Sequence, residues 1–369
     1  MPDLGNCDNW SHFGEFGQPV VDSLMFPTIA ARRRSIAAGG AVMLLLIAGA
    51  SSAVMACDIC AIYPATEMQE TRTGLRLGLA QQYSHFTTLQ KDGDEIANPD
   101  DERLDSVITQ FLLGYQVHPR VRLQMNVPVI FRDFRRVTAT GVNDADENGL
   151  GDLSITGNVL VWSNVSEQSV VRLSVLGGLK FPTGNADRLK EEVPPDPNDV
   201  LNGQHFGPAS DYGGGAHSGV QSGIHGHDLA LGTGSFDPVF GGHLLVTWEH
   251  FYWATDIQYV VRTRGDFDYE YADELTAETV PGAYLLTDPE YTLGLGAALT
   301  TETKGKDNID GTDLDDTGIT SLYAGPVIQF TWGSSLSAEL IADLPAIQNN
   351  TAVQLVPDFR IRGGLVWRF

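Results

Sequence analysis

The residues best able to do chemistry fall into three short stretches. In "CDICAIY", Cys57 and Cys60 form a C-x-x-C pair, and the chain's three cysteines are too few for a disulfide framework. Three readings of that pair stand open. Val54-Met55-Ala56-Cys57 is a tolerable lipobox, which would acylate Cys57. An oxidising compartment would join Cys57 to Cys60. A divalent metal would be captured by the pair, with help from histidines elsewhere. Haem attachment is disfavoured, because Ala61 follows the motif where a histidine is needed.

The second stretch is glycine-rich and holds His205, His217, His225 and His227. Neutral imidazole suits zinc and copper, so His217, His225 and His227, with Asp228 adjacent, make a candidate metal site. Their spacing matches no compact structural zinc pattern. A loop that merely contains histidines, or a plug folded into a lumen, is the other reading. Third, "DADENGLGD" (Asp144–Asp152) opens at EF-hand spacing, but Ile155 stands where the bidentate glutamate belongs. A polar hairpin loop is therefore expected there, and "DNIDGTDLDD" (Asp307–Asp316) reads as a solvated acidic loop. Both would meet lipopolysaccharide phosphates through bridging cations. No spacing assembles a hydrolase, so no catalytic residue is assigned.

These groups need a compartment and a scaffold. "ARRRSIAAGGAVMLLLIAGASSAVMA" (Ala31–Ala56) has a basic start, an apolar middle and a small-residue end, the pattern of an export signal. Residues 1–30 read as a gene-model extension or a disordered segment, with Met25 as the better start. Residues 57–70 then form a periplasmic segment. Beyond the signal, no apolar run approaches the ~18 residues of a spanning helix. A formal charge of −24 excludes nucleic acid as the main partner.

The mature chain repeats one pattern. "VRLQMNVPVIF" places Val121, Leu123, Met125, Val127, Val129 and Phe131 on one face, and Arg122, Gln124, Asn126, Pro128 and Ile130 on the other. Strict alternation predicts strands. It recurs over Gly74–Phe86, Leu104–Val117, Leu153–Trp162, Val171–Phe181, Phe236–Trp248, Phe251–Arg264, Tyr291–Thr300, Leu322–Trp332, Leu336–Pro345 and Phe359–Phe369. A weaker stretch, Leu275–Leu286, brings the expectation to twelve. Short turns at residues 118–120, 164–168, 249–251, 287–290 and 333–335 alternate with longer polar links at 90–103, 138–149, 183–233, 266–273, 304–317 and 348–356. A soluble sandwich has no reason to sort its loops by side. An outer-membrane barrel has: short periplasmic turns, long external loops and periplasmic termini. The prediction is an all-β chain in the outer membrane of a Gram-negative bacterium. Residues 71–369 form a transmembrane antiparallel up-and-down β-barrel of about twelve strands, with an insert at 183–233.

Closure in lipid assigns the faces, since every backbone group must bond internally. Apolar residues face lipid, with Trp367 and Phe369 at the periplasmic rim, where a terminal aromatic is also the kind of signal read by the barrel assembly machinery. The opposite parity lines the lumen: Arg76, Arg122, Arg132, Arg172, Lys180, Arg262, Arg264, Arg360, Arg362 and Arg368, accompanied by Asp256, Glu339, Asp343 and Asp237. Basic residues outnumber acidic ones in this set, which points to a positively biased constriction for small anions or carboxylated aromatics. Full pairing of Arg with carboxylate across a narrow lumen is the competing expectation.

"NGLGDLSITGNVLVW" (Asn148–Trp162), "GGLKFPTGN" (Gly177–Asn185), "LGTGSFDPVFGG" (Leu231–Gly242) and the Phe-terminal strand carry a resemblance. They resemble the outer-membrane family grouped under the MetA pathway of phenol degradation. The resemblance implies a barrel channel or transporter for a small-molecule solute and supplies no catalytic residues, no cofactor and no identified cargo. The expected function is passive, loop-gated diffusion of small solutes, anions or aromatic compounds among them. The alternative is a metal-handling or metal-sensing barrel using Cys57, Cys60 and the histidines.

Overall fold

A computed structural model describes residues 73–138, 141–193 and 222–369. The segment expected as an export signal, Cys57, Cys60 and His217 lie outside these. Twelve strands form the wall: β1 (Gly74–Lys91), β2 (Arg103–His118), β3 (Val121–Thr138), β4 (Ser154–Val165), β5 (Ser169–Lys180), β6 (Asp237–Trp248), β7 (Phe251–Val260), β8 (Glu274–Thr287), β9 (Tyr291–Lys304), β10 (Ile319–Trp332), β11 (Leu336–Asn350) and β12 (Val353–Arg368). Each pairs antiparallel with its chain neighbours, and β12 returns to β1 from Arg76↔Arg368 to Lys91↔Val353. That closure leaves no free edge among them, which is what a hydrocarbon solvent demands.

The alternation places its side chains as expected. Leu77, Leu113, Leu123, Val175, Leu295, Ile328, Leu340 and Leu365 are exposed, whereas Ser84, Ile130, Ser174, Val327 and Asp343 are buried. In a water-soluble protein so much exposed aliphatic surface would drive association; here it is the lipid-facing belt. Trp248, Phe251, Tyr291, Trp332, Trp367 and Phe369 are exposed beside the short turns, forming the periplasmic aromatic girdle.

Several links are more ordered than the sequence suggests. The segment expected as a loop at 138–149 is largely a strand, Gly141–Leu150, paired with the upper part of β3. Asp144 there is engaged by Arg135 at 2.9 Å and Arg103 at 3.5 Å, and Asp146 accepts from Asn148 Nδ2 at 2.6 Å. The link at 348–356 is a tight turn at Thr351 and Ala352, where Ala352 takes a positive φ of 51°. Strand β7 ends at Val260, four residues before Arg264. Above the membrane the outward face of a strand becomes polar, so apolar alternation stops while hydrogen bonding continues.

Candidate functional site

The site is the lumen, and the insert enters it. Where the insert leaves β5 and returns to β6, Asp152 clasps both arms. Its Oδ1 accepts from Gly184 N at 2.9 Å, and its Oδ2 from Thr233 N at 2.9 Å and Thr233 Oγ1 at 2.8 Å. Gly184 and Gly232 cross so closely that a Cβ on either would overlap the other's backbone. This explains the glycines of "FPTGN" and "LGTG": they let two chain segments touch.

Past the clasp, a 3-10 turn (Asp187–Glu191) and a short helix (Gly226–Leu229) fill the external half of the barrel. Ile224 and Leu229 pack on the inward-facing Phe86, Leu104, Phe134 and Leu355 of the wall. Leu189 and Ala230 pack against Tyr269, Tyr271, Ile309 and Leu314 of the external loops. Buried polar groups complete the fit. Glu102 accepts from Ser222 Oγ at 2.6 Å, Gly223 N at 2.8 Å and Val137 N at 2.7 Å. Leu355 N donates to Gly223 O at 2.8 Å, Arg136 pairs with Glu191 at 2.8 Å, and Arg188 with Glu147 at 2.7 Å.

His225 and His227 belong to this insert, their rings stacked 5.6 Å apart. His227 Nδ1 meets Glu192 at 3.0 Å and Nε2 meets Asp228 at 3.4 Å, while His225 faces Asp316 at 3.4 Å. Burial opposes a charge on His227, yet Asp228, Glu192 and Asp316 outweigh it and push its pKa up to about 10. A protonated imidazole is a donor in ion pairs and has no lone pair for a metal. Among the described residues no group of three or more His, Cys, Asp or Glu is arranged to hold a metal ion.

Below the insert lies a layer of buried ion pairs. Arg362 Nε donates to Asp343 at 2.6 Å, its Nη2 reaches Glu278, and Thr300 Oγ1 completes the set at 3.2 Å. Arg360 Nη1 donates to both Glu302 oxygens at 2.7 Å and lies over the Tyr323 ring at 3.9 Å. Lys180 bridges Asp152 at 3.2 Å and Asp237 at 3.0 Å, and Arg262 joins Asp237 to Glu274, each at 2.8 Å. The expected basic excess is therefore corrected here: beside the expected Asp237, Asp152, Glu274, Glu278 and Glu302 supply the missing carboxylates. Glu302 went unseen because β9 continues past Thr300, where alternation fades. Glu274 and Glu278 lie on the weakly patterned β8. Arg264 is also corrected: it sits beyond β7 on an exposed loop, 3.7 Å from Asp268, and does not line the lumen.

The periplasmic half differs. Arg76, Arg122, Arg172 and Arg368 are near the strand ends that meet the short turns, on the lumen parity. Asp256 is 2.8 Å from His243, and Glu339 accepts from Gln329 at 2.7 Å. One wall here is apolar, built from Leu245, Ala254, Val280, Ala298, Val327 and Ile341 around Tyr252. Tyr252 lies flat over Gly282 of the next strand, and a Cβ there would run into its ring.

No family model and no curated protein matches the chain. Among solved structures, an outer membrane channel from Pseudomonas putida F1 has TM-score 0.54 at 16% identity, covering 84% of this chain and 100% of that one. The beta domain of the Bordetella autotransporter BrkA follows at TM-score 0.40 and 8% identity, covering 81% and 100%. The monoaromatic hydrocarbon channel CymD has TM-score 0.32 and 9% identity, covering 82% and 89%. At 16% identity the first likeness speaks for the fold, and the weaker two carry no argument. With the lipid-facing belt, girdle and loop sorting, it identifies the chain as a twelve-stranded β-barrel of the Gram-negative outer membrane.

Proposed function

We infer that this barrel is an outer-membrane channel through which small solutes diffuse passively, with the insert at 183–233 as its gate. One observation carries the reading: the external half of the lumen is filled by a covalently tethered insert rather than by the wall's own side chains. Such an insert leaves the barrel intact when it moves. The arginines at the periplasmic mouth bias passage toward anions, because charges that line a pore set its selectivity. The resemblance to the MetA-pathway family supports an aromatic or otherwise catabolic cargo. Trp367 near the end of the last strand and Phe369 just beyond it, both exposed, are the proposed signal to the barrel assembly machinery.

Liposome swelling by the refolded chain tests this, using uncharged and anionic solutes of graded size. Faster entry of small anions than of neutral solutes of equal size supports the reading. Impermeability to every solute, in liposomes shown to contain folded barrel, sinks it.

A further inference from the structure

One buried cation lacks what its neighbours have. Lys180, Arg136, Arg262, Lys304, Arg360 and Arg362 each lie within 3.0 Å of a carboxylate oxygen. Arg132 is 2% exposed, and among the described residues no carboxylate reaches it. Its Nη1 donates to Ala230 O at 3.0 Å, and its Nε has no partner. Directly across the ladder stands Ser106, 1% exposed, with its Oγ also unpartnered. Leaving a buried guanidinium without a counter-charge costs several kcal/mol by order of magnitude. Such a group is retained where something else supplies the charge.

The surroundings describe that something. Arg132 lines a cavity of about 70 Å³ under the insert, together with Phe86, Leu104, Ile224, Tyr323 and Leu355. At roughly 10–15 Å³ per water this holds about five waters, whose share of liquid volume, roughly 150 Å³, is that of one small aromatic ring. One side of it is apolar and the other carries His227, Asp228, Glu302, Lys304 and Arg360; Glu302 and Asp228 are held by Arg360 and by His227, which leaves the Arg132 guanidinium, a planar fork that matches a carboxylate. We propose that this cavity is a binding site for a small monocarboxylate with an apolar or aromatic body, its carboxylate on Arg132 and its body between Phe86, Leu104 and Ile224.

This deepens the channel reading by naming a substrate class, but binding is measured without transport, so the two fail separately. The experiment titrates benzoate, with benzamide as its uncharged counterpart, into the refolded chain in non-ionic micelles. Saturation-transfer NMR follows both. Saturable benzoate binding at least about tenfold tighter than benzamide is expected, since the charge-assisted pair supplies the difference. Arg132→Gln should abolish that preference, while Arg135→Gln, on the outer surface, should keep it. Should Arg132→Gln fail to fold, Ile224→Trp, which fills the cavity and keeps the guanidinium, should remove benzoate binding instead. Equal affinity for benzoate and benzamide, or undiminished benzoate binding in Ile224→Trp, overturns the proposal whether or not the barrel conducts.

Discussion

Replacing Arg362 by Met probes the ion-pair layer at its centre. Arg362 is 8% exposed and bonds Asp343, which is fully buried, and Glu278, which nearly is. After the substitution, among the described residues Asp343 keeps Arg360 at 3.5 Å and Glu278 keeps the Thr300 hydroxyl at 3.0 Å. Removing one partner of a buried pair costs about 3–5 kcal/mol, chiefly because a charge is left uncompensated. The surviving Arg360 contact places this case toward the low end, about 3 kcal/mol. Urea unfolding of the refolded chain in lipid vesicles would show the loss as a lowered midpoint with unchanged slope. The triple variant Arg362→Met, Asp343→Leu, Glu278→Leu removes all three charges and should recover most of the loss. A cost for Arg362→Met below about 1 kcal/mol, the range of a solvated surface pair, would refute the claim that this layer is dry and tightly coupled.

Three further outcomes follow from the same geometry. His227 has its pKa raised to about 10 in the folded chain, so its contribution to insert docking is complete below its ordinary value near 6.5 and lost as pH rises through 10; tryptic cleavage of the insert should accelerate across that alkaline window, and His227→Gln should make cleavage pH-independent. Gly282→Ala would drive a Cβ into the Tyr252 ring, with an overpacking cost of about 1–3 kcal/mol; adding Tyr252→Ala should recover much of it, and additive losses in the double variant would contradict the contact. Leu295→Arg puts a charge on the exposed apolar belt and should cost about 2–4 kcal/mol in vesicles if that face meets lipid near mid-membrane; a neutral result there would argue against the assigned faces.

How legible was this in the sequence? The wall was legible because lipid and lumen impose opposite chemistry on alternate residues, and "VRLQMNVPVIF" or "FRIRGGLVWRF" carries that contrast in full. Eleven of the twelve wall strands therefore occur where alternation predicted them, and the twelfth, β8, occurs at the weaker stretch that completed the count. Their upper ends were not legible, because Thr301 and Thr303 face water rather than lipid and the contrast vanishes. That is why Glu302 escaped notice and the lumen read as more basic than it is. Arg264 failed for the opposite reason: its parity extended past the residue where β7 ends. The insert's interior position left a trace only in its glycines. Gly184 and Gly232 mark a crossing of two segments, which no periodicity reports. The absence of a carboxylate on Arg132 is a property of the three-dimensional neighbourhood, since the carboxylates that serve the other cations come from other strands, loops and the insert.

On the proposed reading the insert, and not the wall, closes the barrel. Single-channel conductance of refolded residues 57–369 in planar bilayers, before and after deletion of Pro194–Gly226, tests this reading. Small or rare anion-preferring openings are expected for the intact chain, and larger, sustained ones after the deletion. Silence in both forms, with heat-modifiable folding confirmed on a gel, would contradict it and leave a barrel that is sealed by its own ion pairs.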